Sequence, residues 1–395
     1  MSEASRRLGR GGGSVVGGRA ILAVDPNALA RLSEGRRLAL VSGTNGKTTT
    51  TSLLRAALST RGQVATNLLG ANLPPGIAAA LAAAPGATLG ALEVDEAWLG
   101  KVVEAAAPSA VALLNLSRDQ LDRNNEVRML ASSWRRTFDR RSSSSRLTVV
   151  ANADDPMVVW GAALSSDVRW VGAGLPWTGD AAGCPACGGR IDFAEGGDWK
   201  CGDCDFHRPP LDAWLSSGEL VRADGSSTAL RMSLPGRANL ANAAIAVTVA
   251  EVMGCEPEAA ATAAGEVDEV VGRYATVCYG STRARLLLAK NPAGWLEVFD
   301  VLRPPPVPAV VAINARIADG RDPSWLWDVP FERFAGRLVV ATGERSRDLA
   351  VRLRYAGVEH RHEPDLLGAI AAAGADEVDV VANYTSFQQL RALLT

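Results

Sequence analysis

The sequence of 395 residues is poor in histidine, with three, and in aromatic residues, which make up 5%. It also lacks an excess of either charge, because 41 Lys and Arg residues stand against 43 Asp and Glu residues. The resulting net charge of −2 argues against a general surface for nucleic acid or other polyanions. The Ala-rich stretch 76–92 is interrupted by Pro85 and Gly86, so we expect no transmembrane segment.

Signals for export and for disulfide bonds are also missing. Glycines, and not an apolar segment, follow the first arginines, so we expect no signal peptide. Four of the six cysteines form two C-x-x-C pairs, which is typical of a metal site in a reducing compartment. With 47% hydrophobic and 21% charged residues, the chain reads as a soluble protein of two or three domains. We expect it in the cytoplasm.

What the sequence does contain is a phosphate-binding loop. A short apolar run ends at Val41, and a Gly-rich turn and a helix-forming run follow it. This order places backbone N–H groups and the positive end of a helix dipole against a polyphosphate. We expect Lys47 to neutralise phosphate charge and the Thr48 hydroxyl to bind Mg²⁺. The predicted nucleotide-binding residues of this stretch are Gly43, Thr44, Asn45, Gly46, Lys47, Thr48 and Thr49.

A carboxylate follows the next apolar strand. Residues 88–92 lead into Glu93, Asp95 and Glu96. One strand away from the loop, a carboxylate can give Mg²⁺ a second protein contact, and the metal then bridges phosphate oxygens and the attacked carboxylate group. Glu93, nearest the strand end, is the predicted magnesium ligand and, with Lys47, a catalytic residue. A solvated acidic turn is the alternative for Asp95 and Glu96.

Polar residues that follow other predicted strands are further candidates for the nucleotide site. Apolar strands alternate with helical segments, which indicates a parallel α/β sheet with ligands at the carboxyl ends of its strands. Asn115, Arg118, Asp119 and Asp122 follow one such strand. Another strand ends in the segment 152–156, which would hold a nucleotide or form a plain turn.

Two amides near the start of a later helix are also candidates. Asn239 and Asn242 are three residues apart and therefore share one helix face. We predict that they contact the adenine or ribose of the nucleotide, with helix capping as the alternative.

Residues 181–208 carry a different signal. Cys184 and Cys187 form one C-x-x-C knuckle, and Cys201 and Cys204 form a second. Two such knuckles complete a tetrahedral Zn(Cys)₄ site, and four thiolates leave no open position for water. We therefore predict a structural zinc ribbon. His207 is expected at the surface, since the four thiolates suffice.

A second, smaller α/β unit is predicted beyond a boundary near Gly272 and Arg273. We assign residues 1–272 to the ATP-binding domain, with the ribbon 181–208 as an insert, and residues 273–395 to the C-terminal domain. Strand-and-tip patterns recur there, and the tips are rich in Asp, Asn and Lys. Together with Arg321, these tips suggest a site facing the ATPase cleft, with a solvated loop as the alternative.

Taken together, these motifs resemble the MurT family of Mur ligase-type proteins. The resemblance rests on G-T-N-G-K-T-T-T-T of the loop, E-V-D-E-A of 93–97, R-D-Q-L-D-R of 118–123 and N-A-D-D-P of 152–156. The four-cysteine ribbon, A-K-N-P-A-G-W of 289–295 and D-G-R-D-P-S-W-L-W-D of 319–328 extend it over nearly the whole chain. It implies a Mur ligase-type P-loop domain with a parallel sheet and a C-terminal domain particular to this family.

The resemblance also implies a function. ATP with Mg²⁺ phosphorylates the α-carboxyl of the D-glutamate in the lipid II stem peptide, and ammonia converts it to D-isoglutamine for peptidoglycan synthesis. A glutaminase subunit, GatD, supplies the ammonia within a heterodimer at the inner face of the membrane. An aspartate of the C-terminal domain completes the Cys–His pair of that partner, and Asp319, Asp322 and Asp328 remain open as candidates.

The residues support a partner independently, because a self-sufficient glutaminase needs a nucleophilic Cys with a His base. Neither Cys255 nor Cys278 lies in such a context. Two other functions stay open. One is an amino-acid-adding ligase of the Mur or folylpolyglutamate type, which needs no glutaminase. The other is a nucleotide-dependent interaction or nucleic-acid-binding protein, against which the near-neutral charge argues.

Overall fold

The computed structural model describes residues 13–67, 71–118, 127–139, 147–268, 274–316 and 319–394. They form two compact units, the first within Met1–Ser117 and Asn125–Asp268 and the second within Arg118–Asn124 and Glu269–Thr395. The predicted boundary between residues 272 and 273 lies outside the described residues and stays a prediction. The same holds for sites at Asp119 and Asp122.

The first unit alternates strands and helices along most of its length. Its helices are α1 (Gly13–Val24), α2 (Ala28–Ser33), α3 (Lys47–Ser59), α4 (Pro74–Ala83), α5 (Leu99–Ala106), α6 (Val127–Asp139), α7 (Pro156–Ala162), α8 (Arg237–Val252) and α9 (Pro257–Gly265). Its strands are β1 (Arg37–Ser42), β2 (Val64–Thr66), β3 (Leu89–Glu93), β4 (Ala110–Leu113), β5 (Thr148–Asn152), β6 (Val168–Gly172), β7 (Ile191–Phe193), β8 (Trp199–Cys201), β9 (Ala213–Ser216), β10 (Glu219–Arg222) and β11 (Ser227–Ala229).

One large sheet organises this unit. Its strand order is β11-β10-β9-β6-β5-β4-β1-β3-β2, and the pairs from β2 to β9 are parallel. Strand β1 pairs with β3 on one side and β4 on the other, so the loop that follows β1 opens between these two neighbours. The predicted parallel α/β sheet is confirmed, and β10 and β11 extend its edge as an antiparallel hairpin.

Helices cover both faces of the central strands, which explains why residues 38–41 of β1 are an unbroken apolar run. Leu38 and Leu40 belong to a core with side chains of α2, α4, α5, α6 and α7, in which Trp134 is fully buried. Ala39 and Val41 are buried as well, although they point the other way along the strand. Helix α3, which begins at the loop, packs against α8 and α9.

The second unit is a smaller α/β layer. Its helices are α10 (Pro292–Val301), α11 (Ser346–Tyr355), α12 (Leu366–Ala372) and α13 (Tyr384–Leu394), and its strands are β12 (Tyr274–Tyr279), β13 (Thr282–Leu288), β14 (Ala309–Ala312), β15 (Val339–Thr342), β16 (His360–His362) and β17 (Glu377–Ala382). The strand order is β12-β13-β17-β14-β15-β16, parallel except for β12. Successive residues Val380 and Val381 enter two separate cores, as expected for a sheet covered on both faces.

A buried carboxylate ties the centre of this second sheet together. Asp379 on β17 is completely buried and accepts bonds from Arg285 Nε at 2.8 Å and Arg303 Nη1 at 2.6 Å. Its other oxygen accepts from Arg285 Nη2 at 2.9 Å and from the backbone N–H of Arg303 at 2.8 Å. Both oxygens are therefore saturated, which is what a buried charge requires.

We predict that Asp379→Asn destabilises the second unit, because it removes the buried charge that two partly buried guanidinium groups share. Breaking such a pair costs about 3 kcal/mol, or roughly a hundredfold loss of protection against hydrogen exchange. Exchange measured by mass spectrometry on peptides covering β17 and β13 checks this. Glu377→Gln, on the same strand but half exposed, is the matched control, and equal protection in the two variants would contradict the prediction.

Candidate active site

The loop between β1 and α3 adopts a conformation that two glycines make accessible. Gly43 has a φ of +146° and Gly46 a φ of +82°. Residues that carry a Cβ atom rarely adopt such backbone angles. A Cβ on Gly43 would lie 2.8 Å from the Cβ of Leu114, and one on Gly46 would collide with the side-chain oxygen of Asn242. The loop is therefore packed closely against β4 and α8, with its N–H groups at the start of α3.

Lys47 is enclosed by its own loop. The side chain is buried, and Nζ donates to the carbonyl oxygen of Gly43 at 2.6 Å and to Glu96 Oε1 at 3.1 Å. A longer contact of 3.4 Å reaches the Thr44 carbonyl. Glu96 is buried too, so it acts as the counter-ion of the loop lysine. The solvated acidic turn considered for Glu96 is thus not what the structure shows.

Thr48, in the first turn of α3, meets Glu93 at the end of β3. Thr48 Oγ1 donates to Glu93 Oε2 at 2.9 Å, and the carboxylate is buried. One hydroxyl and one carboxylate oxygen side by side are the hard donors that Mg²⁺ prefers. The structure therefore brings together the two residues that the sequence predicted as magnesium ligands, and their chemistry fits that ion.

The position of Glu93 is fixed by two asparagines that sequence reasoning missed. Asn67 Oδ1 accepts from the Glu93 backbone N–H at 2.7 Å, and Asn67 Nδ2 donates to the Glu93 carbonyl at 2.7 Å. The amide thus replaces a neighbouring strand at the end of β3. Asn72 Nδ2 donates to Glu93 Oε1 at 3.3 Å. No sequence signal marked these contacts, because Asn67 and Asn72 lie in a loop of ordinary turn composition.

The loop is also held from the end of β4. Asn115 accepts from Asn45 N–H at 2.9 Å through its side chain and from Thr44 N–H at 2.9 Å through its carbonyl. Thr44 Oγ1 accepts from the Ser117 N–H at 3.0 Å. Asn115 thus lies at the site, as its place after a strand predicted. Thr44 and Asn45 serve to anchor the loop to the neighbouring strand.

The two amides of α8 have different surroundings. Asn242 lies against Gly46, as the collision described above shows. Asn239 Nδ2 donates to the carbonyl of Pro235 at 2.6 Å, just ahead of the helix. Asn242 is therefore beside the loop. Asn239 makes a local contact ahead of the helix, but this is not the helix cap that was its alternative interpretation, because Gly236 occupies the cap position. Their contact with adenine or ribose stays a prediction.

The segment 152–156 forms the turn from β5 into α7. Asp155 is completely buried and caps α7, accepting from Met157 N–H at 2.8 Å and Val158 N–H at 3.4 Å. Its second oxygen accepts from Leu116 N–H at 2.8 Å. Burial raises the pKa of Asp155 to about 6, although these three N–H groups act in the opposite direction. The carboxylate is committed to structure, which favours the turn over a direct nucleotide contact.

The four cysteines of the two knuckles converge as predicted. Their Sγ atoms all lie within 4.8 Å of one another, with 3.5 Å between Cys187 and Cys201 and 3.8 Å between Cys184 and Cys204. A tetrahedron with zinc–sulfur bonds of about 2.3 Å has edges of about 3.8 Å. The N–H of Gly189 donates to Cys187 Sγ and that of Asp203 to Cys201 Sγ, both at 3.3 Å. The Asp203 N–H is the main cause that lowers the pKa of the Cys201 thiol to about 7.

These four cysteines can therefore hold one metal ion, and His207 is exposed and outside the cluster. The short antiparallel hairpin of β7 and β8 carries Cys201, and the knuckle turns flank it.

The three candidate aspartates of the second unit differ in exposure. Asp319 is buried, accepting from Thr385 N–H at 2.8 Å and from the Thr385 hydroxyl. Asp322 is exposed and accepts from Ser324 N–H at 2.8 Å. Asp328 is exposed and pairs with Arg118 at 3.2 Å. Asp319 thus holds the start of α13, while the other two carboxylates face solvent.

Comparison with known proteins identifies the class of enzyme that this loop and sheet define. Residues 41–173 match the Mur ligase middle domain, and residues 288–387 match the MurT ligase C-terminal domain. A pseudomurein peptide ligase type C from Methanothermus fervidus has the same fold, with a TM-score of 0.70 at 17% identity over 91% of this chain and 78% of that one. The chain is an enzyme of the Mur ligase type, and the predicted fold is confirmed.

Two relatives of known name narrow this class. The MurT subunit of a glutamine-hydrolysing lipid II isoglutaminyl synthase from Streptococcus pneumoniae is 30% identical over 98% of this chain and 93% of its own length. The Staphylococcus aureus subunit of the same name is 29% identical over 90% and 86%. The chain belongs to the MurT family. None of the helices in the described ranges combines the length and apolarity needed to cross a bilayer.

We predict that the Asp155 carboxyl titrates near pH 6. Because its folded pKa lies above the ordinary 3.8, its protonated form stabilises the fold below about pH 4, and this contribution is lost as the pH rises to about 6. NMR of the carboxyl carbons in aspartate-labelled protein, with Asp155→Asn for assignment, measures the midpoint. A midpoint below 4 would contradict the burial argument.

Proposed function

We propose that this chain is the synthetase subunit that amidates the α-carboxyl of D-glutamate in the lipid II stem peptide, giving D-isoglutamine. The proposal is carried by one observation in a member of the MurT family: at the start of α3, Lys47 pairs with Glu96 and Thr48 bonds to Glu93, the last residue of β3. We take the substrate, lipid II, and the dependence on glutamine from the names of the two relatives.

The reaction divides into two balanced steps. The substrate carboxylate attacks the γ-phosphorus of ATP, which forms an acyl-phosphate and releases ADP. Ammonia then attacks the acyl carbon, and inorganic phosphate leaves as the amide forms. Both steps build up negative charge on phosphate oxygens, and a loop lysine and N–H groups held in place before the reaction stabilise that charge.

The residues have distinct tasks in these steps. The N–H groups at the start of α3, from Gly46 onwards, bind the phosphates, and Lys47 moves its ammonium from Glu96 towards the β- and γ-phosphates. Thr48 and Glu93 would hold Mg²⁺, whose positive charge would reduce the repulsion between the phosphate and carboxylate oxygens. Asn67 keeps Glu93 in register through its two bonds of 2.7 Å. Asn239 and Asn242 would contact the nucleoside.

A glutaminase partner, GatD in this family, would supply the ammonia. Each of the three histidines has a hydrogen bond that does not involve a cysteine: His207 to the Asp205 carbonyl, His360 to the Val358 carbonyl and His362 to the Ser346 hydroxyl. This arrangement supports a Cys–His nucleophile supplied by another chain. Asp322 and Asp328, which face solvent, are the carboxylates that such a partner can reach, whereas Asp319 is occupied by Thr385.

The surface of the second unit supports a protein partner. Trp327 and Tyr355 are exposed by 57% and 77% and form an edge-to-face pair, with Arg352 near the Trp327 ring. Trp, Tyr and Arg are the residues that most often dominate protein–protein interfaces. Asp328 directly follows Trp327. The lipid-linked substrate places the reaction at the inner face of the cytoplasmic membrane, and this location is part of the proposal.

We propose zinc as the metal of the four cysteines, with a structural task, since four thiolates exclude water from the ion. Purified protein is expected to contain about one zinc per chain, measured by elemental mass spectrometry. Cys201→Ser should lower the zinc content and open the ribbon to proteolysis, because a lost ligand weakens the coupled folding of the metal site. Cys278→Ser, at an exposed cysteine outside the cluster, should change neither. Full zinc content in Cys201→Ser would contradict the assignment.

We predict that the chain with ATP and Mg²⁺ amidates a D-glutamate-containing muropeptide lipid when ammonium is supplied. Glutamine should replace ammonium only when the glutaminase is present. Mass spectrometry of the lipid distinguishes the products: exchange of carboxyl for carboxamide supports the proposal, and a mass gain equal to an amino-acid residue indicates an amino-acid-adding ligase instead.

Glu93→Gln tests the site within the same assay. It should lower kcat by about a hundredfold or more, since a ligand to the charge-neutralising ion is lost. Asp95→Asn, two residues away, is the control and should keep most of the activity, because Asp95 Oδ1 accepts only from the N–H of Ala97 in the local turn. Equal activity of the two variants would show that Glu93 is not a magnesium ligand.

A further inference from the structure

The four-cysteine ribbon does not stand apart from the nucleotide-binding unit that contains it. Trp199, on β8 and two residues before Cys201, donates its indole N–H to the carbonyl of Ala153 at 2.9 Å. Arg208, four residues after Cys204, forms an ion pair with Asp154. Both contacts reach the turn between β5 and α7. They lie at the two ends of the second cysteine knuckle, so its folding controls both at once.

These contacts are buried, which makes them costly to lose. Trp199 and Asp154 have exposures of 2% and 3%. Burial raises the pKa of Asp154, and the charge of Arg208 opposes this rise. Arg208 itself lies against the end of β6, where a Cβ on Gly172 would be 2.9 Å from its Nη2. Without Arg208, the Asp154 carboxylate would keep the Gly174 N–H at 2.6 Å as a donor but would lose its counter-ion.

The same turn holds the nucleotide loop from the other side. Asp155, next to Asp154, accepts the Leu116 N–H at 2.8 Å. The following residue, Ser117, donates its N–H to Thr44 Oγ1 at 3.0 Å and accepts from that hydroxyl through its carbonyl at 3.1 Å. A continuous series of buried polar contacts therefore runs from the ribbon to Thr44, three residues before Lys47.

We propose that Trp199 and Arg208 are positioning residues for nucleotide binding, through which the metal-loaded ribbon holds the phosphate-binding loop in its binding geometry. The proposal rests on the proposed function, which places a nucleotide at that loop. The residues of the ribbon fit a tetrahedral metal by the sulfur geometry described above. Their metal then acts on the loop over a distance, and it touches no substrate.

These contacts explain how loss of the metal would loosen the phosphate-binding loop. A ribbon of this size has little core of its own and depends on its metal to fold. When it opens, Ala153 loses a donor and Asp154 its counter-ion, and the turn relaxes. Asp155 and Leu116 then hold the end of β4 less firmly, so Thr44 samples other positions. A loop that must be ordered before it binds has a lower apparent affinity.

Two variants and a matched control test this inference on the full chain. Arg208→Gln removes the counter-ion of Asp154, and Trp199→Phe removes only the indole N–H donor while keeping most of the packing. Arg190→Gln is the control, because Arg190 is a ribbon arginine whose ion pair with Asp192 stays within the ribbon. Metal content is measured for each protein, and only preparations with the same metal content per chain are compared.

Two readouts are taken. Calorimetric titration with Mg·ADP gives the dissociation constant, and hydrogen exchange by mass spectrometry gives the protection of residues 43–50 without nucleotide. Arg208→Gln should weaken Mg·ADP binding by roughly five- to fiftyfold, the usual range of coupling between sites, and should raise exchange in the loop. Trp199→Phe should move both values in the same direction by less, and Arg190→Gln should leave both unchanged. Arg208→Lys should restore part of the loss.

The outcomes separate this inference from the proposed function. Unchanged loop exchange and unchanged affinity in Arg208→Gln would overturn the positioning role even if the wild-type chain binds Mg·ADP tightly. An equal effect of Arg190→Gln would show general damage to the ribbon and would also overturn it. A wild-type chain that fails to bind Mg·ADP would overturn the proposed function, and this inference with it.

Discussion

The burial of one ammonium group, that of Lys47, constrains the centre of the first unit. A charge removed from water must be matched by oxygens at hydrogen-bond distance. Here the carbonyl of Gly43 and the carboxylate of Glu96 provide them. To present the Gly43 carbonyl inward, the loop takes backbone angles that favour glycine. To present Glu96, the chain after β3 must turn back over the loop, where the Glu96 carbonyl also accepts the buried Trp134 indole N–H. Site and core therefore share one set of contacts.

Two buried carboxylates with several hydrogen-bond donors each join separate elements within a unit. Asp379 joins β17 to two arginines of the second unit, and Asp155 joins the α7 turn to the end of β4. Each carboxylate accepts at least three hydrogen bonds. Each therefore fixes the relative orientation of the elements that it joins as well as the distance between them. Such groups add little net stability compared with apolar packing, but they make other arrangements of the same core unfavourable. A phosphate site needs such a defined arrangement, because small displacements of its hydrogen-bond donors weaken phosphate binding.

The sequence predicted those features whose signals are local. The order of apolar run, glycines and helix former around Lys47 is contained within a dozen residues, and the spacing of the four cysteines defines their convergence. The contacts of Asn67 with Glu93 and of Asp155 with Leu116 gave no such signal, because these partners lie 26 and 39 residues away in sequence. In the Gly-rich start, residues from Gly13 form α1, and Gly18 lets this helix approach the Pro75 carbonyl more closely than a Cβ would allow.

The three aspartates left open by sequence show what accessibility adds to a motif. Asp319, Asp322 and Asp328 occur within one ten-residue segment, and no spacing rule distinguishes them. A carboxylate that orients a histidine of another chain must reach the surface and must exchange its present partner at little cost. Asp319 fails on both counts, since it is buried and bonded to the backbone and hydroxyl of Thr385. Asp328 meets both, because exposed pairs like its bond to Arg118 contribute little stability. Asp322 is exposed as well, but its oxygen accepts from the N–H of Ser324, the first residue of a short helical turn, so engaging a partner would loosen the segment that carries Trp327.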